Sequence, residues 1–275
     1  MRAAAVLFTL LGAYGSAAGG RATVALFDSP ADALRDLVRG EPRPPRVLAF
    51  GEVHELEGGP KATPAIRRFI DEMLAAVPAK ADLVVETWVP KGTCGKVERE
   101  VIGKVEEMTK RPESTETDVV RLLRLGKAAG MRPHILEIAC ATYETLKRED
   151  GSLDAVRLLG VVTRELERVI VKQLGAAADA TVVVYGGAIH NDRAPRQELA
   201  EFSFGKTVER AAGGRYVEID LYVPEYVETD AAITGAPWWP RYLAAIRGHA
   251  TQTARVRLGP GSYVLLFPRS GVARR

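Results

Sequence analysis

The sequence predicts an α/β protein with a mainly parallel β-sheet, helices on both faces and a site at the C-terminal ends of the strands. Two observations predict this fold class. Short apolar runs rich in Val, Leu and Ile alternate with longer segments whose apolar residues recur with the helical period. The short runs are almost continuously apolar, which is typical of parallel strands buried on both sides.

The first half of the chain predicts three strands, at residues 46–51, 82–88 and 133–139. Residues 19–45 form a polar lead-in that ends in a proline-rich stretch. The predicted helices lie between the strands. One begins at Thr63 and Pro64 and ends before Pro78, one spans residues 95–110, and one begins at Thr117 and Asp118 and stops at Gly130.

The second half predicts a long helix and three further strands. The helix begins at Ser152 and Leu153 and runs to about Leu174. Strands follow at residues 181–186, 216–221 and 261–267, with a helix-like segment at 195–212. No linker divides this part of the chain, so residues 46–275 are expected to form a single domain.

The N-terminus resembles a secretory signal, predicted to cover residues 1–18. Arg2 precedes an apolar run at residues 3–13, and small residues occupy 16–18. The run is shorter than the roughly 20 residues that span a bilayer. We therefore expect an exported protein whose mature chain starts near Gly19 and has no membrane span, with an uncleaved anchor as the alternative.

Two cysteines, Cys94 and Cys140, remain in the expected mature chain. Each follows a predicted strand, so both could lie on the same rim of the sheet and form a disulfide in an oxidising compartment. Two unlinked thiols are the equally open alternative.

Several functional classes lose support from the sequence. The net charge is +3 and basic residues alternate with acidic ones, so no nucleic-acid partner is expected. His54 and Glu55 do not continue as a zinc-protease motif, because Gly58 stands where the second histidine belongs. Residues 205–207 resemble the end of a phosphate-binding loop, but Ala200 replaces its leading glycine. No Gly-x-Ser-x-Gly elbow is present.

Two Gly-x-x-His segments, at residues 51–54 and 187–190, carry the strongest functional signal. Each follows a strand-like run, and the chain has only four histidines. In an open α/β sheet, ligands bind outside the carboxyl ends of the strands. Histidine there can bind a metal or transfer protons near neutral pH. We therefore expect His54 and His190 to face one site.

Carboxylates accompany these histidines at the predicted strand ends: Glu52, Glu86, Glu137 and Asp192. His54, His190 and Glu86 could bind a divalent metal such as Zn, Mn or Co, with a remaining Glu as general base. Without metal, one His could activate water while a Glu orients it. We predict Glu52, Glu86 and His54 as catalytic residues. The structural alternatives are that Glu86 binds backbone N–H groups and that the histidines cap loops.

Three short segments resemble a known superfamily. They are residues 48–55 (Leu-Ala-Phe-Gly-Glu-Val-His-Glu), 84–86 (Val-Val-Glu) and 186–191 (Gly-Gly-Ala-Ile-His-Asn). They are similar to motifs of the superfamily that links ChaN-like haem-binding lipoproteins, Tiki/TraB-type proteins and erythromycin esterases. The resemblance spans residues 46–222 and implies a site at His54, His190, Glu52 and Glu86. It also implies metal-dependent peptide cleavage in the Tiki branch and haem binding in the ChaN branch.

These observations lead to three hypotheses. The first is an exported metal-dependent hydrolase that cuts a peptide, ester or related bond in a small-molecule or peptide substrate. The second is a non-enzymatic haem- or iron-binding uptake protein of ChaN type, with a histidine as axial ligand. The third is an exported domain that retains the fold without the chemistry.

Overall fold

Eight strands form the sheet in the computed structural model, which describes residues 22–271. They are β1 (Thr23–Phe27), β2 (Val47–Glu52), β3 (Asp82–Lys91), β4 (Arg132–Ala139), β5 (Val182–Gly187), β6 (Tyr216–Tyr222), β7 (Thr253–Gly259) and β8 (Ser262–Leu266). The predicted signal peptide lies outside the described residues. The strand order is β1-β7-β8-β6-β2-β5-β3-β4.

Six neighbouring strands, from β8 to β4 in that order, run parallel to one another. Only β7 runs antiparallel to its two neighbours, β1 and β8. The prediction of an α/β fold with a mainly parallel sheet is therefore confirmed. β3 is longer than predicted and changes its register against β4 between Val84 and Trp88.

Eleven α-helices connect and flank the strands within residues 22–271. They are α1 (Pro30–Gly40), α2 (Ala65–Arg68), α3 (Gly95–Thr109), α4 (Glu113–Ala128), α5 (Cys140–Thr145), α6 (Ala155–Ala176), α7 (Ala188–Asn191), α8 (Gly205–Ala211), α9 (Pro224–Val227), α10 (Ala231–Thr234) and α11 (Trp239–Ile246). A π-helical turn and a 3₁₀ turn prolong α2 over Phe69–Ala76, and Gln197–Phe202 is a further 3₁₀ segment. Within this range no helix has the length and apolar character needed to cross a membrane.

Two predicted helix starts are wrong. α4 begins just after Pro112, so Thr117 and Asp118 lie inside it, and the Asp118 carboxylate binds Arg67 instead of a backbone N–H. α6 begins after Asp154, whose side chain accepts a hydrogen bond from a backbone N–H in the first turn. Ser and Thr are common N-caps and predicted both starts, but proline and aspartate also begin helices.

The structure describes the predicted lead-in, residues 19–45, from residue 22 onward, and this part is folded. It contains β1 and α1, and β1 forms an edge of the sheet beside β7. The Ser29 side chain accepts the Asp32 N–H at the start of α1. The helix then buries Leu34 and Leu37 almost completely. Its other side is polar, so the segment as a whole has a polar composition.

Alternate residues of β2 pack into two different apolar clusters. Leu48 and Phe50 contact a cluster that includes side chains of α1, α2 and α4. Val47 and Ala49 belong to a cluster that includes side chains of α6 and α8. All four are buried. Since residues 47–50 face apolar neighbours on both sides, this part of β2 has a continuous apolar sequence instead of an alternating one.

A disulfide joins Cys94 to Cys140, with an S–S distance of 2.08 Å. Cys94 lies just before α3 and Cys140 is the first residue of α5, so the bond links the segments that leave the neighbouring strands β3 and β4. Of the two alternatives the sequence left open, the structure has the paired one.

Candidate functional site

The two Gly-x-x-His segments leave neighbouring strands at the same level of the sheet. β2 and β5 are parallel neighbours, and Glu52 lies opposite Gly187. His54 follows β2 by two residues, and His190 lies in α7 directly after β5. β3, which carries Glu86, is the next strand beside β5. The sheet therefore brings the four predicted site residues to one region.

His54 is the end of a hydrogen-bonded chain that begins at Tyr185. The Tyr185 hydroxyl donates to Oε2 of Glu52 at 2.7 Å, and Oε1 of Glu52 lies 2.8 Å from Nδ1 of His54. Burial, followed by the nearby Glu52, raises the pKa of Tyr185 well above its usual value, so the phenol stays protonated. A carboxylate at Nδ1 holds the proton there and leaves Nε2 of His54 as the basic nitrogen.

His190 is held differently, by neutral groups. Its Nδ1 lies 2.9 Å from the Thr163 hydroxyl and 3.0 Å from the Phe202 carbonyl oxygen. A carbonyl only accepts hydrogen bonds, so Nδ1 carries the proton and Nε2 carries the lone pair. Burial lowers the pKa of His190 more than the carboxylate of Glu86 raises it, which keeps the ring neutral.

Glu86 lies between the two histidines and a guanidinium. Its Oε2 accepts the Gly187 N–H at 2.5 Å, while Oε1 is 3.7 Å from Nε2 of His190 and 4.0 Å from Arg111. Burial alone would raise the pKa of Glu86, but His190, His54, Arg111 and the backbone donor together bring it below its usual value. Glu86 is therefore an ionised carboxylate. It also accepts a hydrogen bond from a backbone N–H, the structural role predicted as the alternative to catalysis.

The glycines of both motifs are required by close contacts. A Cβ on Gly187 would lie 3.0 Å from Nε2 of His54 and 3.4 Å from Oε2 of Glu86, so both groups face the same point of the β5 backbone. A Cβ on Gly51 would lie 2.5 Å from the Cα of Ala188, because α7 packs directly against β2. Glycine permits both close approaches because it has no Cβ.

Arg111 and Tyr185 also lie at the site, and neither is among the residues predicted for it. α3 ends at Thr109, and Lys110 caps it in a left-handed conformation with φ of 46°. The Lys110 carbonyl accepts the N–H of Glu57 from the segment after His54. Arg111, the next residue, then reaches Glu86. The available signals were the helix break at Lys110–Pro112 and a tyrosine inside an apolar strand run.

Two further carboxylates considered in the sequence lie elsewhere. Glu137 is exposed on the edge strand β4, beside α6. Asp192 is buried near Glu218 and Asp220 of β6. Burial, followed by the charge of Asp192, raises the pKa of Glu218 to about 8, and burial raises that of Asp220 as well. In the sequence, Glu218 and Asp220 alternate with the apolar residues of β6, a pattern that usually indicates a strand with one solvent-exposed side, so their burial was not predicted.

The fit of a metal ion can be judged from the donor atoms. Nε2 of His190 and the carboxylate of Glu86 face each other, and His54 faces the same carboxylate across Gly187. However, residues 22–271 contain no group of three or more His, Cys, Asp or Glu side chains arranged to hold a metal ion. The Arg111 guanidinium also supplies positive charge beside Glu86. The metal ligands named from the sequence therefore stay a prediction.

Comparison with known proteins adds no relative: no family model, no curated protein and no solved structure matches the chain. The resemblance to the ChaN, Tiki and erythromycin esterase superfamily stays a prediction that rests on its short motifs.

Proposed function

We propose that the protein is an exported hydrolase that cleaves an ester, peptide or related bond, with His54 as the general base. The observation that carries this proposal is the chain from Tyr185 through Glu52 to Nδ1 of His54. It resembles the arrangement in which a carboxylate orients a histidine and stabilises its protonated form. His54 is 18% exposed, so water and substrate can reach it.

The proposed reaction begins when Nε2 of His54 takes a proton from a water molecule. The water oxygen forms a bond to the carbonyl carbon of the substrate, and the carbonyl electrons move onto its oxygen. Glu52 stabilises the protonated His54 during this step. When the tetrahedral intermediate collapses, the bond to the leaving group breaks and His54 returns the proton to that group.

Arg111 is the proposed partner of the negative oxygen that forms in the intermediate. Its guanidinium is 29% exposed and 4.0 Å from Glu86, too long for a hydrogen bond, so its N–H donors can reach a ligand. Neutral His190, with its lone pair on Nε2, can accept a hydrogen bond from the attacking water. Ionised Glu86, which accepts the Gly187 N–H, keeps the Arg111 guanidinium beside the two histidines.

The proposal also covers two features of the fold that the sequence predicts. Helices cover both faces of the sheet, and the site lies at the C-terminal ends of β2 and β5. The two apolar clusters on alternate residues of β2 support the first feature. The positions of His54 and His190, directly after those two strands, support the second.

Export of the protein is supported by the disulfide between Cys94 and Cys140, because such bonds persist mainly in oxidising compartments. The predicted signal at residues 1–18 supports it as well. Expression of the full chain followed by N-terminal sequencing of the exported fraction tests this part. Recovery of the uncleaved chain from the cytoplasm would contradict it.

The catalytic proposal is tested with purified protein on p-nitrophenyl acetate, p-nitrophenyl butyrate and a fluorogenic peptide mixture. His54→Ala is expected to lower the rate by about 10²-fold or more, the usual contribution of a general base. Glu52→Gln should also lower it, because the amide holds Nδ1 without stabilising the charged ring. His249→Ala, which alters an exposed histidine, is the matched control. No hydrolysis by the wild type, or full activity of His54→Ala, would refute the proposal.

Metal analysis and a haem titration on the same samples test the two ligands that the resemblance implies. A divalent ion, if bound, would be held by His54, His190 and Glu86, and would make a bound water more acidic. Metal retained by the wild type and lost in His190→Ala would replace the metal-free reaction with a metal-dependent one. A Soret shift that His54→Ala or His190→Ala abolishes would replace hydrolysis with haem binding.

A further inference from the structure

A second cleft, with a volume of about 460 Å³, lies between α6 and the edge strand β4. One wall is the C-terminal part of β4, which includes Glu137. The other is the side of α6 that carries Arg164, Arg168 and Lys172, and Lys91 at the end of β3 closes one end. None of these residues takes part in the proposed hydrolysis.

The lining of this cleft is positively charged. It contains four cationic side chains (Lys91, Arg164, Arg168 and Lys172) against two carboxylates (Glu137 and Glu165), an excess of two positive charges. The Glu165 carboxylate is already bound by Nε of Arg168 at 2.8 Å. Three cations therefore face the single remaining carboxylate of Glu137.

The spacing on α6 concentrates this charge on one side. Arg164, Arg168 and Lys172 are four residues apart, so their side chains stack along one helix face. Like charges at this spacing repel each other and destabilise the helix slightly. An anion bound in the cleft would turn this repulsion into attraction.

The opposite wall is held in place by the disulfide. Cys140 directly follows β4, is bonded to Cys94, and its sulfur lies 3.9 Å from the Lys91 carbonyl oxygen. Thr142 on the same short helix lines the cleft. The bond limits the separation of the ends of β3 and β4, so the wall that these two strands contribute to the cleft is constrained before a ligand binds.

We propose that this cleft binds a small polyanion with two or more negative charges, carried by phosphate or carboxylate groups. Its volume lies in the range of small-molecule sites. Two arginines offer forked N–H groups that match phosphate and carboxylate oxygens, and the two lysines add charge. The carboxylates of Glu137 and Glu165 interrupt the positive surface, which favours a compact ligand over an extended chain such as nucleic acid.

Isothermal titration calorimetry tests the proposal with two probes, inorganic pyrophosphate and citrate, at low ionic strength. The double variant Arg164→Gln/Lys172→Gln is expected to weaken binding about tenfold or more, the effect of losing one charge-assisted hydrogen bond. Glu137→Gln should strengthen binding, because it removes a negative charge from the cleft. Arg124→Gln/Lys127→Gln, two exposed cations on α4, is the matched control for net charge.

The two probes distinguish a phosphate ligand from a carboxylate ligand. Binding of pyrophosphate alone identifies a phosphate ligand, and binding of citrate alone identifies a carboxylate ligand. No binding of either probe by the wild type, or equal losses in the two double variants, overturns the proposal. All four substituted cations are exposed, so thermal unfolding should be nearly unchanged and can verify that each variant is folded.

Discussion

Replacing Glu218 by glutamine is expected to stabilise the protein at neutral pH. The Glu218 side chain is buried, and burial together with Asp192 raises its pKa from 4.5 to about 8. The unfolded chain releases this proton near pH 4.5, whereas the folded protein keeps it until about pH 8. Over that interval the unfolded state binds fewer protons, so the free energy of unfolding of the wild type falls as pH rises.

The size of the effect follows from the two pKa values. The loss is about 1.4 kcal/mol per pH unit, which amounts to about 3 kcal/mol between pH 4.5 and pH 7. Glutamine has nearly the shape of the protonated acid, and its carbonyl can still accept the Arg193 N–H that Glu218 accepts at 3.1 Å. Glu218→Gln should therefore gain about 3 kcal/mol at pH 7 and almost nothing near pH 4.

Urea unfolding of wild type and variant at several pH values between about 4 and 8 measures this difference. Because the charge of Glu218 also raises the pKa of Asp220, the same comparison is made in the Asp220→Asn background, where only the slope of Glu218 differs between the two proteins. Glu198→Gln, which changes an exposed carboxylate, is the control and should show no comparable gain. If the difference between Glu218→Gln and the wild type does not grow with pH, Glu218 is ionised in the folded protein and the reasoning fails.

Two further substitutions test the covalent and steric features of the fold. Cys94→Ser/Cys140→Ser opens a bond across 46 residues and should lower the free energy of unfolding by about 4 kcal/mol, measured in urea; a loss under about 1 kcal/mol would contradict this. Gly51→Ala places a Cβ 2.5 Å from the Cα of Ala188 and should cost about 2 kcal/mol or more. Gly175→Ala in α6 has open space and should be neutral or stabilising, so equal effects on thermal unfolding would refute the steric argument.

Continuous apolar runs predict β2 and β5 most directly. Both strands are buried along their whole length and begin with four apolar residues, whereas in β6, which is equally buried, Glu218 and Asp220 alternate with apolar residues. The prediction lacks two strands: β1, whose short apolar run lies within the predicted polar lead-in, and β7, in which Arg255 and Arg257 alternate with apolar residues. An alternating strand among neighbouring turns and short helices has a weaker pattern than a buried parallel one.

Residues that enter the site from distant parts of the chain could not be predicted. Thr163 contacts His190 from the middle of α6, where a threonine has no pattern that marks it. Arg111 reaches Glu86 only because Lys110 adopts a left-handed conformation. In contrast, His54 lies two residues after the end of β2, a strand that the sequence predicts. The strand order then determines which residues lie beside it.

The two Gly-x-x-His motifs have different chemistry, and one position in the sequence explains the difference. The residue after the glycine is Glu52 in the first motif and Ala188 in the second. Glu52 holds Nδ1 of His54 with a carboxylate, which can stabilise a positive ring. Ala188 offers no such group, so His190 relies on a neutral hydroxyl and a carbonyl in a buried place where a positive charge is unfavourable. Because a general base must accept a proton and carry its charge, this difference favours His54 over His190 for that role in the proposed reaction.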